Sequence, residues 1–235
     1  MNSSVIIHHH LGLGDHLDCN GLVRHTLLNE EYDRIIIPAK THYFNMITFM
    51  YRDEPRIEVV EVDPTKEHDS VEKYQKETGF PILTVGFSNY HPSGQHASNK
   101  NCWEYFYEEW GIDYEVRKDL FFAERDKKEE ERVFDKLNPQ GEPFIFIHED
   151  ISRGFELDRS HFINPALKTI ENDVTENIFH FTKILEEAAE VHCMESSFKT
   201  LIDIYCKQEN LFYHDFRNQP LGSRGNKNWK VIKYE

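Results

Sequence analysis

Short uninterrupted runs of apolar, largely β-branched residues recur along this chain, each followed by a stretch of helical character. That alternation restricts the fold more than any other feature of the sequence. Val5 to His10, Arg34 to Pro38, Ile57 to Val62 and Pro81 to Phe87 read as strands. Helices are expected from about His16 to Asn29, Thr41 to Arg52 and Pro64 to Thr78. A strand apolar on both faces must be covered on both faces, as in a parallel sheet with crossover helices. Right-handed crossovers then make residues 1–123 a doubly wound, Rossmann-like domain.

The pattern restarts after a charged segment. Glu124 to Lys136 reads as a solvated helix, and residues 124–142 as the connection between two halves. Phe144 to His148, Val191 to Met194, Leu211 to His214 and Trp229 to Ile232 are the expected strands of a second Rossmann-like domain, residues 143–235. Helices are expected at Thr175 to Ala189 and Ser196 to Cys206, with a polar loop from Asp150 to Arg159. The fold class is therefore α/β, with two Rossmann-like halves whose parallel sheets are flanked by helices. Within the first half, Tyr90 to Asn101 reads as a polar loop. Trp103, Phe106, Tyr107 and Trp110 follow at helical spacing, a stripe expected to pack in the core.

Charge narrows the function classes. The 235 residues carry 27 basic and 42 acidic side chains, a formal net charge of −15. Such a surface repels nucleic acid and anionic lipid, so neither is an expected partner. A phosphate-bearing substrate would need a local basic or amide-rich pocket. The first residues lack a basic, signal-like region, and no run approaches the length of a membrane span. Cys19, Cys102, Cys193 and Cys206 are scattered and read as free thiols of a reducing compartment, hence a cytoplasmic protein.

The segment richest in chemical information is Val5-Ile6-Ile7-His8-His9-His10-Leu11-Gly12-Leu13-Gly14-Asp15-His16. A strand that turns through two glycines into a helix presents backbone N–H groups and the positive end of the helix dipole to an anion. A dinucleotide fingerprint requires a third glycine where Leu17 stands and an acid where the second strand ends in Pro38-Ala39-Lys40. Both are missing, which argues against a nicotinamide-dependent oxidoreductase, and no P-loop motif is present. Asp15 reads either as the N-cap of the first helix or as a functional carboxylate.

Gly12-Leu13-Gly14-Asp15 at the end of the first strand resembles the N-terminal loop of GT-B-fold glycosyltransferases, in particular the heptosyltransferase-like ones. The resemblance implies that Asp15 lies in a cleft between two Rossmann-like domains and acts as general base on an acceptor hydroxyl. A carboxylate within about 3 Å can take that proton as the bond to the anomeric carbon forms. His16 is the rival base. It also implies that the C-terminal half holds a nucleotide diphosphate sugar. Two segments have the right character for that. In His148-Glu149-Asp150-Ile151-Ser152-Arg153-Gly154, Arg153 could grip a diphosphate, or pair with Glu149, Asp150 or Glu156. In His192-Cys193-Met194-Glu195-Ser196-Ser197-Phe198-Lys199, Glu195, Ser196 and Ser197 open a helix beside the donor, unless a serine there simply caps it. The heptosyltransferase version carries Gly and His after its Asp-Thr, so the donor here is open.

The expected activity is thus a metal-independent transfer from a nucleotide diphosphate sugar to a saccharide or glycoconjugate hydroxyl, with no cofactor beyond the donor. The alternative is a non-catalytic nucleotide or nucleotide-sugar binding protein. His8, His9 and His10 alternate faces on a strand and are not expected to converge on a metal. Arg217, Arg224, Lys227 and Lys230 read as cations that approach the donor or, the favoured alternative, balance the acidic surface, and Asp203 as a solvated or capping carboxylate.

Overall fold

The computed structural model describes residues 3–29, 32–87, 102–216 and 227–234. The chain divides into two compact units, Met1–Glu124 and Arg125–Glu235. The loop expected at 90–101, together with Arg217 and Arg224, lies outside the described residues.

The first unit runs β1 (Ser4–His8), α1 (Leu13–Asn29), β2 (Arg34–Lys40), α2 (Phe44–Met50), β3 (Ile57–Val62), α3 (Glu67–Thr78), β4 (Ile82–Thr84), α4 (Cys102–Glu109) and α5 (Val116–Asp119). Its four strands are all parallel, in the order β3-β2-β1-β4. Val5, Ile6, Ile7, Ile35, Ile36 and Ile37 are fully buried, as strands covered on both faces must be. On one face Ile6, Leu11, Ile36, Val62 and Val71 form a cluster flanked by Val60, Tyr74, Phe80 and Ile82. α1 starts three residues earlier than expected, so the glycine loop forms its first turn rather than preceding it.

The other face of the unit is fastened through α1. Gly21 lets α5 approach so closely that a Cβ there would lie 2.6 Å from the Val116 carbonyl oxygen. Beside it, Arg117 Nη1 donates to Asp18 Oδ1 at 2.9 Å, and both side chains are buried. The Tyr107 hydroxyl accepts from the Leu22 amide at 3.1 Å and donates to the Asp18 carbonyl at 2.7 Å. An undisturbed helix would join those two groups to each other, so the hydroxyl sits in the ladder of α1. Of the aromatic stripe, Phe106 and Tyr107 are core residues. Trp103 and Trp110 are not: they lie at the margin and use their indole N–H groups as donors, to Asp15 and to the Thr84 carbonyl.

The second unit runs α6 (Lys127–Leu137), β5 (Phe144–His148), β6 (Lys168–Glu171), α7 (Thr182–Glu187), β7 (Glu190–Met194), α8 (Ser197–Tyr205), β8 (Leu211–Asp215) and β9 (Lys230–Lys233). Its sheet is parallel throughout, in the order β6-β5-β7-β8-β9. Three expectations change here. The charged segment after residue 124 is not a solvated connection, because α6 buries Val133 and Phe134 and packs within this unit. Its buried Glu130 accepts two bonds from Arg125, which also reaches Glu186. The helix expected over 175–189 is shortened to a 3-10 turn, Ile178–Phe181, followed by α7. β6 was not expected at all, since Lys-Thr-Ile-Glu offers only Ile170 as an apolar signal.

Both sheets reverse their winding direction once. In the first the reversal falls between β1 and β4, in the second between β5 and β7. Open α/β sheets bind ligands outside the carboxyl ends of their strands at such switch points.

Candidate functional site

At the switch point of the first sheet, β1 ends at His8 and the chain climbs through His9, His10 and Leu11 to Gly12. The amide of His16 bonds to the Gly12 carbonyl at 3.1 Å, which makes Gly12 the residue that opens α1. Asp15 is therefore three residues into the helix rather than its N-cap. Its Oδ1 accepts the indole N–H of Trp103 at 3.0 Å, and the carboxylate is half-buried. The two glycines have different reasons to be glycine. A Cβ at Gly12 would lie 2.6 Å from Asp15 Oδ2, so that position clears room for the carboxylate. A Cβ at Gly14 would meet nothing within 4 Å and would stand in open space over the turn.

β4 supplies the opposite wall. After Thr84 the chain turns at Gly86, whose φ of 83° and whose Cβ position 2.1 Å from the Phe106 ring both demand glycine. The Gly86 amide donates to Glu109 Oε2 at 2.7 Å, and its carbonyl accepts from His10 Nε2 at 3.2 Å. The three consecutive histidines separate by face, as expected. His8 and His10 both lie against the Phe87 ring, at 5.0 and 4.8 Å, while His9 turns inward to meet His16 at 4.5 Å. Burial lowers the pKa of His8 and of His9 to about 4 and lowers that of His10, so the imidazoles are neutral at pH 7.

His16 is the one expected catalytic residue that this arrangement rules out. Its ring is fully buried beneath α1, neither nitrogen has a hydrogen-bond partner among the described residues, and burial holds its pKa well below the ordinary value. A base sealed in the core cannot reach an acceptor hydroxyl. Helical periodicity explains the divergence: Asp15 and His16 are adjacent, about 100° apart around the axis, so one faces out and the other in.

At the switch point of the second sheet, β5 ends in His148 and β7 in Met194. His148 Nδ1 meets Asn172 Oδ1 at 2.7 Å, and its ring lies 4.8 Å from Phe198. Nδ1 is thereby the donor and Nε2 the acceptor, with burial lowering the pKa. Glu149 is occupied by the Leu157 amide and, bidentately, by Arg159. On the other strand, Ser196 caps α8 by accepting from the Lys199 amide at 3.4 Å. Ser197 is the first helical residue, and Glu195 Oε2 accepts from the Tyr213 hydroxyl at 3.1 Å. His148 pairs in register with Cys193, so the segments that follow β5 and β7 leave the sheet at the same end. The sequence signal for His148 is its position as the last residue of β5, the strand at the switch point.

Two charged residues are fixed by their partners. Arg153 sits in an exposed turn and pairs with Asp150 at 2.5 Å, the surface alternative. Asp203 is neither solvated nor a cap. It is buried, accepts from Lys199 Nζ at 2.6 Å and from Trp229 Nε1 at 2.8 Å, and closes the underside of α8. Among the described residues no group of three or more His, Cys, Asp or Glu could hold a metal ion, and no helix is long and apolar enough to cross a membrane.

Comparison of the whole chain with solved structures gives three related results. A glycosyl transferase family 9 structure from Veillonella parvula superposes with a TM-score of 0.60 at 9% identity, covering 100% of this chain and 88% of that one. The E. coli ADP-heptose lps heptosyltransferase II gives 0.54 at 9% identity, covering 98% and 90%. E. coli heptosyltransferase WaaC with ADP-2-deoxy-2-fluoro heptose gives 0.50 at 9% identity, covering 99% and 93%. The chain shares its fold with glycosyltransferases. No family model and no curated protein matches its sequence.

Proposed function

We propose that this protein is a glycosyltransferase that moves a sugar from a nucleoside diphosphate sugar to an acceptor hydroxyl. One observation carries the reading. In each of the two parallel-sheet units a strand at the switch point ends in a turn that opens a helix, Gly12–Asp15 after β1 and Glu195–Ser197 after β7. A fold shared along almost its whole length with glycosyltransferases supports it.

In this reading the donor's diphosphate lies at the N-terminus of α8. Ser196 and Ser197 and the first-turn amides meet its oxygens, while Glu195 accepts from a ribose or sugar hydroxyl. Arg153 reaches the diphosphate only by exchanging its partner Asp150. The acceptor lies against the α1 turn, over the space left open at Gly14. Asp15 takes the proton from the attacking hydroxyl as the bond to the anomeric carbon forms. Trp103 orients that carboxylate by donating its indole N–H to Oδ1. The departing diphosphate is stabilised by the same amides, and no metal ion enters the scheme.

The test is thermal unfolding against nucleoside diphosphates and their sugars, then turnover of whichever donor responds. A donor at about 100 times its dissociation constant adds roughly 2.7 kcal/mol of stability. Asp15→Asn is expected to keep that stabilisation and lose transfer. Full transfer by the variant would remove Asp15 as base. Donor stabilisation without turnover by the unaltered protein would favour the second reading, a nucleotide-sugar binding protein, for which the ion pairing of Arg153 and Lys199 speaks.

A further inference from the structure

The second unit contains a buried polar chain that the transfer chemistry does not use. Glu190 and His192, two residues apart on β7, face the same side, and His214 on β8 lies beside them; all three side chains are buried. His192 Nε2 meets Glu190 Oε2 at 3.4 Å, His192 Nδ1 meets His214 Nε2 at 3.0 Å, and His214 Nδ1 meets the Tyr234 hydroxyl at 2.6 Å. Both ends of the chain terminate on the same loop. The Tyr234 oxygen accepts the Asp158 amide at 2.7 Å, while the Glu190 carboxylate accepts the amides of Ile163 and Asn164, each at 2.8 Å.

The ends dictate every proton in between. Burial pushes the Glu190 carboxyl up, but the two amides and His192 outweigh it and hold it below the ordinary range, so it is an acceptor only. His192 must then carry its proton on Nε2 and accept at Nδ1. His214 must donate from Nε2 and accept at Nδ1, and the Tyr234 O–H must point at His214 while its oxygen receives Asp158. One added proton can be absorbed by reversing this order, leaving His192 as an imidazolium against Glu190. A second cannot, because two cationic rings would then face each other N–H to N–H across 3.0 Å.

We propose that the Tyr234–His214–His192–Glu190 chain is an acid-sensitive latch that pins residues 158–164 at neutral pH and frees them when both imidazoles are protonated. The latched loop matters because Arg159 clamps Glu149, the residue immediately after β5. The groups facing the imidazoles come from every neighbouring element. Asp158, Arg159 and His161 belong to the loop, Glu149 follows β5, Glu190 lies on β7, and Tyr234 follows β9. Phe212 stacks on His192 at 4.3 Å with Lys230 over its far side, and Phe162 covers the ring at 4.5 Å. Burial foremost lowers the pKa of His192 to about 4, and burial plus repulsion from His192 lowers that of His214 to about 3. The sign follows. Both groups are protonated more readily once released, so the latch is fully closed above pH 6.5 and weakens as the pH falls from there toward 4. This inference is independent of the transfer reaction.

Hydrogen exchange of the full chain between pH 7.5 and 5, corrected for intrinsic rates, tests it without any substrate. Protection of the Asp158, Ile163 and Asn164 amides is expected to fall about tenfold or more per pH unit below pH 6, while the amides of β5 stay protected. Tyr234→Phe cuts the chain at its more exposed end and is expected to lose protection at Asp158 already at pH 7.5. If that variant does not fold, the imidazole nitrogen spectrum of the unaltered protein decides, since both rings must be Nε2–H tautomers at neutral pH. Loop and β5 amides losing protection together, or His214 protonated on Nδ1 at neutral pH, would overturn the latch.

Discussion

Removing the buried guanidinium of Arg117 tests how the Asp15 turn is held. α1 carries Asp15 in its first turn and Asp18 one turn later, and Asp18 is bonded to Arg117 at 2.9 Å with both side chains sealed from water. Arg117→Ala takes the guanidinium away from a buried carboxylate, a change that costs about 3–5 kcal/mol in comparable settings. Unfolding entropy is about 2.1 cal/mol/K per residue, so a unit of this size changes by roughly 0.26 kcal/mol per degree and its Tm should fall by about 12–19 °C. The paired replacement Asp18→Leu with Arg117→Met removes both charges and keeps most of the volume. It should recover most of the loss, because an apolar pair at a buried site is often as stable as the ion pair it replaces. Scanning calorimetry on the three proteins is sufficient. A fall of under about 3 °C for Arg117→Ala, or a double variant as unstable as the single one, would refute the reasoning from desolvation.

Two further outcomes can be checked on the same unit. Gly14→Ala should raise stability slightly, by up to about 1 kcal/mol, since a helical glycine is replaced and its new Cβ meets nothing within 4 Å. The same variant should weaken whatever binds over the turn by about tenfold, near 1.4 kcal/mol, and ligand-induced stabilisation as strong as in the unaltered protein would show that nothing approaches there. His9, with its pKa lowered to about 4 by burial, binds its proton more readily unfolded than folded. Its contribution is therefore complete above pH 6.5 and lost as the pH falls toward 4, about 3 kcal/mol in all. The slope of stability against pH between 6.5 and 4.5 should be shallower in His9→Leu, and identical slopes would contradict it.

How much of the site was legible depended on how local each feature is. The Gly12–Asp15 turn is contiguous, so the sequence alone showed a strand entering a helix through two glycines. The Glu195–Ser197 turn was legible for the same reason, down to its ambiguity between cap and ligand site. Asp203 was misread although Lys199 stands four residues before it, because spacing reveals a possible pair and not whether a tryptophan 26 residues away will bury it. His16 was misread because adjacency in sequence says nothing of which side of α1 faces the core.

The α/β class and the strands with continuous apolar runs were readable from the sequence alone. Each follows from short-range propensity and from the need to cover both faces of such strands. The tertiary structure alone decided the order of the strands, and with it the two switch points, the strand β6 and the Glu190–His192–His214–Tyr234 chain. The physical reason is that a parallel sheet brings together residues 20 or more positions apart without any local signal. The free energy of a buried carboxylate or imidazole is set by those distant neighbours and not by the residues beside it in the chain.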